Sequence, residues 1–206
     1  MFSTYVFNTS FELTIAIVST IIVTVTFIGM AFSYTKKRTG QHYAEQREPV
    51  PDIPAFKLIS KLIFVSSMLL TLISFWANSS FLLTIYQYPL LQLAGTFLVL
   101  TGFINLQLAF QHLGEQYSPS FDAYLPTILV TSGHYRFIRH PIYLFNLFVS
   151  FGLAIASGSA IVYTTASIAL LFILKIINME EKCLIKHFPR YQTYQKQSWR
   201  LVPFCY

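Results

Sequence analysis

Charge is what this chain has least of. Only 11% of its 206 residues are Asp, Glu, Lys or Arg, where a soluble globular domain carries roughly 25%. Acid is the scarcer sign, with 8 carboxylates against 14 Lys and Arg. Cysteine is almost missing: Cys183 and Cys205 are too few for a disulfide framework or a thiolate metal set, so no metal is expected. The eight glycines are scattered, so there is no Gly-rich loop of the kind that cradles phosphates or dinucleotides. No basic residue precedes the first apolar run, which therefore reads as a membrane span rather than a signal peptide. Internal repeats and low-complexity tracts are absent.

What is there is grease. The chain is 54% hydrophobic and 17% aromatic, with a mean hydropathy of +0.55. A bilayer core takes about 20 apolar residues of helix. Five runs approach that length: Leu13 to Tyr34, Leu58 to Trp76, Pro89 to Phe110, Pro141 to Ser157, and Ser159 to Ile177. The reading is an all-α integral membrane protein of one domain, with about five transmembrane helices. Spans four and five are separated so briefly that they form a tight helical hairpin.

The basic residues test that count. All Lys and Arg fall in three regions: 36–61, 136–139 and 175 onward. Five spans place the three regions on one side, and the positive-inside rule then puts the N-terminus out and the C-terminus in the cytoplasm. The net charge of +6 thus marks orientation, and no nucleic-acid partner is implied. After span five, Glu180 to Lys196 reads as an amphipathic cytoplasmic helix interrupted by Pro189.

Polar chemistry concentrates just before span four, in "TSGHYRFIRHPIYL", Thr131 to Leu144. The residue before a proline avoids the helical region, and proline favours the first helical position. His140 should therefore sit outside span four and Pro141 should begin it, with Tyr143 in the first turn. Helix starts present unpaired N–H groups and partial positive charge, which suits an anion. Gly133 signals a turn or a close backbone approach. Across the hairpin lies Glu180-Glu181, and ionisable groups near a bilayer usually face a cavity or a partner. His140, Tyr143 and Glu180 can thus line one pocket for a ligand carrying both signs of charge. Read without any partner, the same arginines are membrane anchors and the glutamates a solvated helix end.

These two segments carry a resemblance. "LVTSGHYRFIRHPIY" (Leu129 to Tyr143) and "EEKCLIKHFPRYQTYQKQSWRLVPF" (Glu180 to Phe204) resemble the paired motifs of the isoprenylcysteine carboxyl methyltransferase family. Those membrane enzymes are akin to the phospholipid N-methyltransferases. The resemblance implies a cytoplasmic pocket for S-adenosylmethionine, closed by the C-terminal helix. It implies that Thr127, Ile128, Leu129 and Val130 meet the cofactor through extended backbone, and that Tyr135 lines the adenosine side. His140, Pro141, Ile142 and Tyr143 would hold the methionine end, and Glu180 would complete the pocket. It further implies a lipophilic methyl acceptor, reached from the membrane lipid. Isoprenylcysteine carboxyl O-methylation leads, with phospholipid N- or thiol S-methylation as alternatives.

Two positions depart from the family pattern. Phe145 stands where many members have glycine, and Ile176 stands where the carboxyl methyltransferases place an acceptor-binding arginine. Lys175, one step away, is the candidate replacement and the candidate catalytic residue. A thiol or amine acceptor must also lose a proton, and His134 or His187 could assist. Outside the family, an NADPH-dependent membrane reductase and a non-enzymatic membrane protein are the competing classes.

Overall fold

The structure is a computed structural model that describes residues 2–4, 10–39, 54–79, 82–117 and 126–204. Among these, six α-helices follow in order: α1 (Ser10–Thr39), α2 (Pro54–Trp76), α3 (Pro89–Leu113), α4 (Pro141–Ser157), α5 (Ala160–His187) and α6 (Tyr191–Gln197). Proline opens three of them, Pro54, Pro89 and Pro141. At a helix start its missing N–H costs nothing and its fixed φ is already helical. Apart from helix, a short antiparallel pair joins β1 (Phe2–Thr4) to β2 (Ala77–Ser79), in register Phe2 to Ser79.

α3 and α4 form the most extensive helix pair, and their small residues explain why. A Cβ on Gly95 would lie 2.3 Å from the Ala156 nitrogen, and one on Gly152 would lie 2.8 Å from the Val99 nitrogen. Backbones this close need residues without side chains at the crossing, the usual device where helices pack inside a membrane. Around this seam lies one buried cluster that includes Val99, Leu106, Val149, Leu153 and, from α5, Val162 and Ile177. The outer faces stay apolar too: Phe32, Leu90 and Leu171 are each at least 67% exposed. Contiguous exposed apolar surface on this scale belongs against lipid.

Among the described residues, three helices are long and apolar enough to cross a membrane: Ser10–Tyr34 within α1, α3 and α5. The apolar part of α2, Lys61–Trp76, and α4 are shorter. The molecule is thus an all-helical integral membrane protein, apart from its one small strand pair.

The hairpin between α4 and α5 is as tight as expected. α4 ends at Ser157, Gly158 takes the left-handed cap at φ 60°, and Ser159 precedes α5. The C-terminal segment differs from expectation. No new helix starts at Glu180; α5 runs on to His187, because nothing between 177 and 187 breaks a helix. The chain then turns through Phe188 to Arg190, around Pro189, before α6. The proline break expected from the sequence thus separates α5 from α6. Other helices also exceed the apolar runs, α1 spanning Ser10–Thr39, α2 beginning at Pro54 and α3 reaching Leu113. Residues 40–53, between the first two apolar runs, lie outside the described residues.

Candidate active site

The polar segment before α4 folds as the proline and glycine rules require. Gly133 has φ +59°, and a Cβ there would lie within 2.5 Å of three atoms of the His112 ring. Both the backbone angle and the space demand glycine. A single 3-10 turn covers Gly133–Arg136. His140 then sits outside α4 with φ −123° and ψ 58°, and Pro141 begins the helix.

His140 is buried and meets both members of the acidic pair. Its Nε2 lies 3.3 Å from Glu181 Oε1, and its Nδ1 lies 3.9 Å from Glu180 Oε2. The Tyr143 hydroxyl donates to Glu180 Oε2 at 2.9 Å, and its ring stacks on the His140 imidazole at 5.7 Å. Tyr135 is buried nearby. Burial and then the charge of Glu180 push its hydroxyl well above the ordinary value. The His140, Tyr143, Tyr135 and Glu180 set read from sequence therefore converges on one place, where the start of α4 meets the end of α5.

Adjacent residues on a helix point about 100° apart, so the two glutamates have different surroundings. Glu180 keeps 40% of its side-chain surface exposed. Glu181 is buried at the centre of a network that sequence reasoning did not assemble. Arg139 Nε donates to its Oε1 at 2.7 Å. Arg200 Nε stands 3.0 Å from its Oε2, and Gln195 Nε2 donates to the same oxygen at 3.4 Å. The Tyr191 hydroxyl reaches Oε1 at 3.5 Å. Arg139 also donates through its NH1 group to the Gln195 carbonyl at 3.1 Å and to the Ser198 carbonyl.

Backbone bonds complete the closure. Arg139 N–H donates to the Trp199 carbonyl, and Trp199 N–H donates to the Phe137 carbonyl, both at 2.8 Å. The Tyr194 hydroxyl donates to the Tyr135 carbonyl, and burial pushes that hydroxyl up to about 12. α6 and the segment after it are thus fastened over the loop before α4. The doublet Glu-Glu was the only sequence signal for Glu181, and it did not say which glutamate would be buried.

The segment 127–130 is held from below by one amide. Gln116 Oε1 accepts from Thr127 N–H and Thr127 Oγ1 at 2.9 Å and from Ile128 N–H at 3.1 Å. Ile128 is exposed, Val130 is half-buried, and Leu129 packs on the Leu184, Tyr191 and Tyr194 cluster. Pro141 is buried and Ile142 packs on the main core. Lys175 stands apart: it is exposed on α5 and shares no hydrogen bond or ion pair with the residues gathered round Glu180 among those described.

His134 has a different setting. Its Nδ1 lies 3.2 Å from His112 Nδ1, and its Nε2 lies 3.2 Å from Asn105 Oδ1. Asn105 uses its amide nitrogen on the Thr101 carbonyl, so Oδ1 must accept and His134 must carry its proton on Nε2. His112 then donates to His134 Nδ1. Burial and the charge of His112 hold His134 below the ordinary histidine value. Among the described residues no three His, Cys, Asp or Glu side chains are grouped to hold a metal.

The sequence and the fold match known proteins. A family model described as phospholipid methyltransferase (PEMT) matches residues 89–191, half of the chain. The chain belongs to this family. It is 33% identical over 82 residues to a methanethiol S-methyltransferase of Crocosphaera subtropica, covering 39% of this chain and 31% of that protein. Its fold is that of the eukaryotic intramembrane Ras methyltransferase ICMT (isoprenylcysteine carboxyl methyltransferase), with a TM-score of 0.54 and 21% identity. That likeness covers 75% of this chain and 54% of the solved one. The chain therefore spans about a third of the curated relative and about half of the solved structure. The matched region of the phospholipid methyltransferase family contains α3, α4, α5 and every candidate cofactor residue named above.

Proposed function

We propose that this chain is an S-adenosylmethionine-dependent methyltransferase of the membrane, acting on a lipophilic acceptor. The observation that carries this reading is the convergence of His140, Tyr143, Tyr135 and Glu180 at the α4 start, beneath a fastened C-terminal segment. The donor set suits the cofactor. Its ammonium has the part-exposed Glu180 carboxylate. Its carboxylate has the start of α4, where first-turn N–H groups point outward. Its sulfonium would favour the faces of Tyr135 and Tyr143. Thr127 to Val130 would lie along the adenosine side, and α6 would exclude water.

When bound, the cofactor supplies an activated methyl group. What remains for the chain is to orient an acceptor and keep the site dry. A five-span arrangement with this pocket on the cytoplasmic side lets the acceptor arrive from the bilayer. The basic residues, grouped on the pocket side of such an arrangement, support that orientation.

The acceptor divides into two chemical classes. A carboxylate, as in isoprenylcysteine, wants a cation near the reacting atoms. Two arginines nearby are engaged, Arg139 with Glu181 and the 195 and 198 carbonyls, Arg200 with Glu181 and Asn178. Lys175 would have to reach back from an exposed position. Inside the bundle, one turn beyond Tyr143, the polar groups are neutral. Asn146 pairs with the Tyr34 hydroxyl at 3.1 Å, and Ser33 donates to Gln107 Oε1 at 2.7 Å. Neutral surroundings favour an uncharged nucleophile, a thiol or an amine, over a carboxylate.

The test is direct. Purified protein is given methyl-labelled S-adenosylmethionine with a prenylcysteine, an alkanethiol or an aminophospholipid, and the label is followed into organic or aqueous phase. Transfer to thiol or amine is expected, and it should weaken in Glu180→Gln at low cofactor concentration. Transfer to prenylcysteine alone would reverse the acceptor assignment, and no binding of S-adenosylhomocysteine would remove the enzyme assignment.

A further inference from the structure

Large apolar side chains are exposed at the closure over the Glu180 end. Phe137, Trp199, Val202 and Phe204 are 61%, 41%, 40% and 85% exposed. They lie in two segments that are bonded to each other. Trp199 N–H donates to the Phe137 carbonyl, and the Trp199 carbonyl accepts from Arg139 N–H, so the chain after α6 runs parallel to the loop before α4. The Trp199 and Phe204 rings lie 5.2 Å apart, and the Arg136 guanidinium stands 5.6 Å over the Phe137 ring. Leu201, between the exposed residues of the second segment, is buried. That segment thus has one side chain set into the protein and three turned outward.

Depth and charge together say what covers them. The 17 residues of α4 give a length of about 25 Å, against a hydrocarbon core of about 30 Å. A span shorter than the core draws its flanks to the acyl-chain boundary. In the five-span arrangement Phe137, just ahead of Pro141, therefore sits at that boundary, with Trp199 bonded beside it. Tryptophan and other amphipathic rings favour this layer. As for charge, residues 131–140 and 191–204 include no Asp or Glu. Arg139 and Arg200 are engaged with Glu181, while Arg136 and Lys196 are exposed. An acid-free surface with exposed cations suits anionic headgroups. A second copy of the chain would set like charges against each other.

We propose that the segment from Ser198 to Phe204 is a strap seated in the membrane surface, holding anionic lipid through Arg136 and Lys196 and the acyl boundary through Trp199 and Phe204, so that the bilayer itself keeps the Glu180 end closed. The proposal rests on the five-span reading above, and its test needs no cofactor, so its failure would leave methyl transfer standing. Trp76→Phe leaves Trp199 as the one tryptophan. The full chain is placed in phosphatidylcholine nanodiscs, with or without phosphatidylglycerol. Acyl-brominated phosphatidylcholine should quench Trp199, and aqueous iodide should not. If Trp76→Phe does not fold, the share of quenching lost in Trp199→Phe is read instead. Hydrogen exchange at the Arg139 and Trp199 amides reports opening of the strap. It should slow when phosphatidylglycerol is present, and Arg136→Gln with Lys196→Gln should speed it about tenfold in those discs alone. Quenching by iodide in place of bromolipid would overturn the proposal, as would quenching by neither, the sign of a second copy on this face. Exchange indifferent to phosphatidylglycerol, or to the double variant, would overturn it too.

Discussion

The two ends of the α4–α5 hairpin are closed by opposite means. At the Glu180 end, one buried carboxylate, Glu181, gathers two arginines, a histidine, a tyrosine and a glutamine. At the Gly158 end the fastening is neutral. Ile85 N–H donates to the Gly158 carbonyl at 2.8 Å, Ala160 N–H to the Leu83 carbonyl at 3.1 Å, and the Tyr86 hydroxyl pairs with that of Tyr163 at 2.7 Å. The difference teaches what each end is for. A charged network fixes one geometry because every member fails without the others. Neutral bonds close a turn and leave little at stake in any single partner.

The comparison breaks hardest at Glu181. Glu181→Ala strands Arg139 and Arg200 in a buried place, and should cost about 3–5 kcal/mol. A large drop in the detergent unfolding midpoint, with loss of cofactor binding, is the expected result. A midpoint near that of the parent would mean the network is ornamental. Its neighbour sharpens the point. Glu180→Gln should lower S-adenosylhomocysteine affinity about tenfold, the worth of one charge-assisted hydrogen bond, and leave the midpoint almost unmoved. Titration calorimetry beside the unfolding scan separates the two glutamates. At the far end, Tyr86→Phe removes the hydroxyl shared with Tyr163 and the Ile155 carbonyl. It should cost about 1 kcal/mol and leave cofactor affinity untouched.

How much of this was written plainly in the sequence follows the same divide. Long-period features were legible. Apolar runs gave the helices, proline gave their starts, and Gly158 with its short flanks gave the hairpin. The meeting of His140, Tyr143 and Glu180 was legible because a proline and a glycine pin the backbone that leads into α4. Partner choice was not. Glu180 and Glu181 are identical as letters, and only the rotation of α5 against α4 decides which is buried. That rotation is set by packing at Val162, Ala166 and Ile177. The end of α5 was misplaced because charge was read as the end of a helix, whereas Lys and Glu are good helix formers. Gln116, whose one oxygen holds Thr127 and Ile128, carried no sequence signal at all, since a lone glutamine has none.

The smallest expected effect probes a polar group that is neither network nor neutral closure. His134 accepts from His112 and donates to Asn105, and the first of these bonds requires it uncharged. Its folded value lies below the ordinary 6.5, from burial and the charge of His112. The unfolded chain therefore takes up a proton at His134 first as pH falls, and stability drops with it. No effect remains above the unfolded value, where both states are neutral, and the loss is complete below the folded one. The wild-type advantage over His134→Gln in unfolding midpoint should accordingly shrink as pH is lowered through 6.5. The group is mostly solvent-screened, so the change should be modest. If His134 instead serves as proton acceptor for a thiol or amine, methyl transfer would fall over the same window, with S-adenosylhomocysteine affinity unchanged. A pH-independent difference in midpoint would show that His134 binds its proton equally well in the folded and unfolded chain, and the acceptor role assigned to its Nδ1 would be wrong.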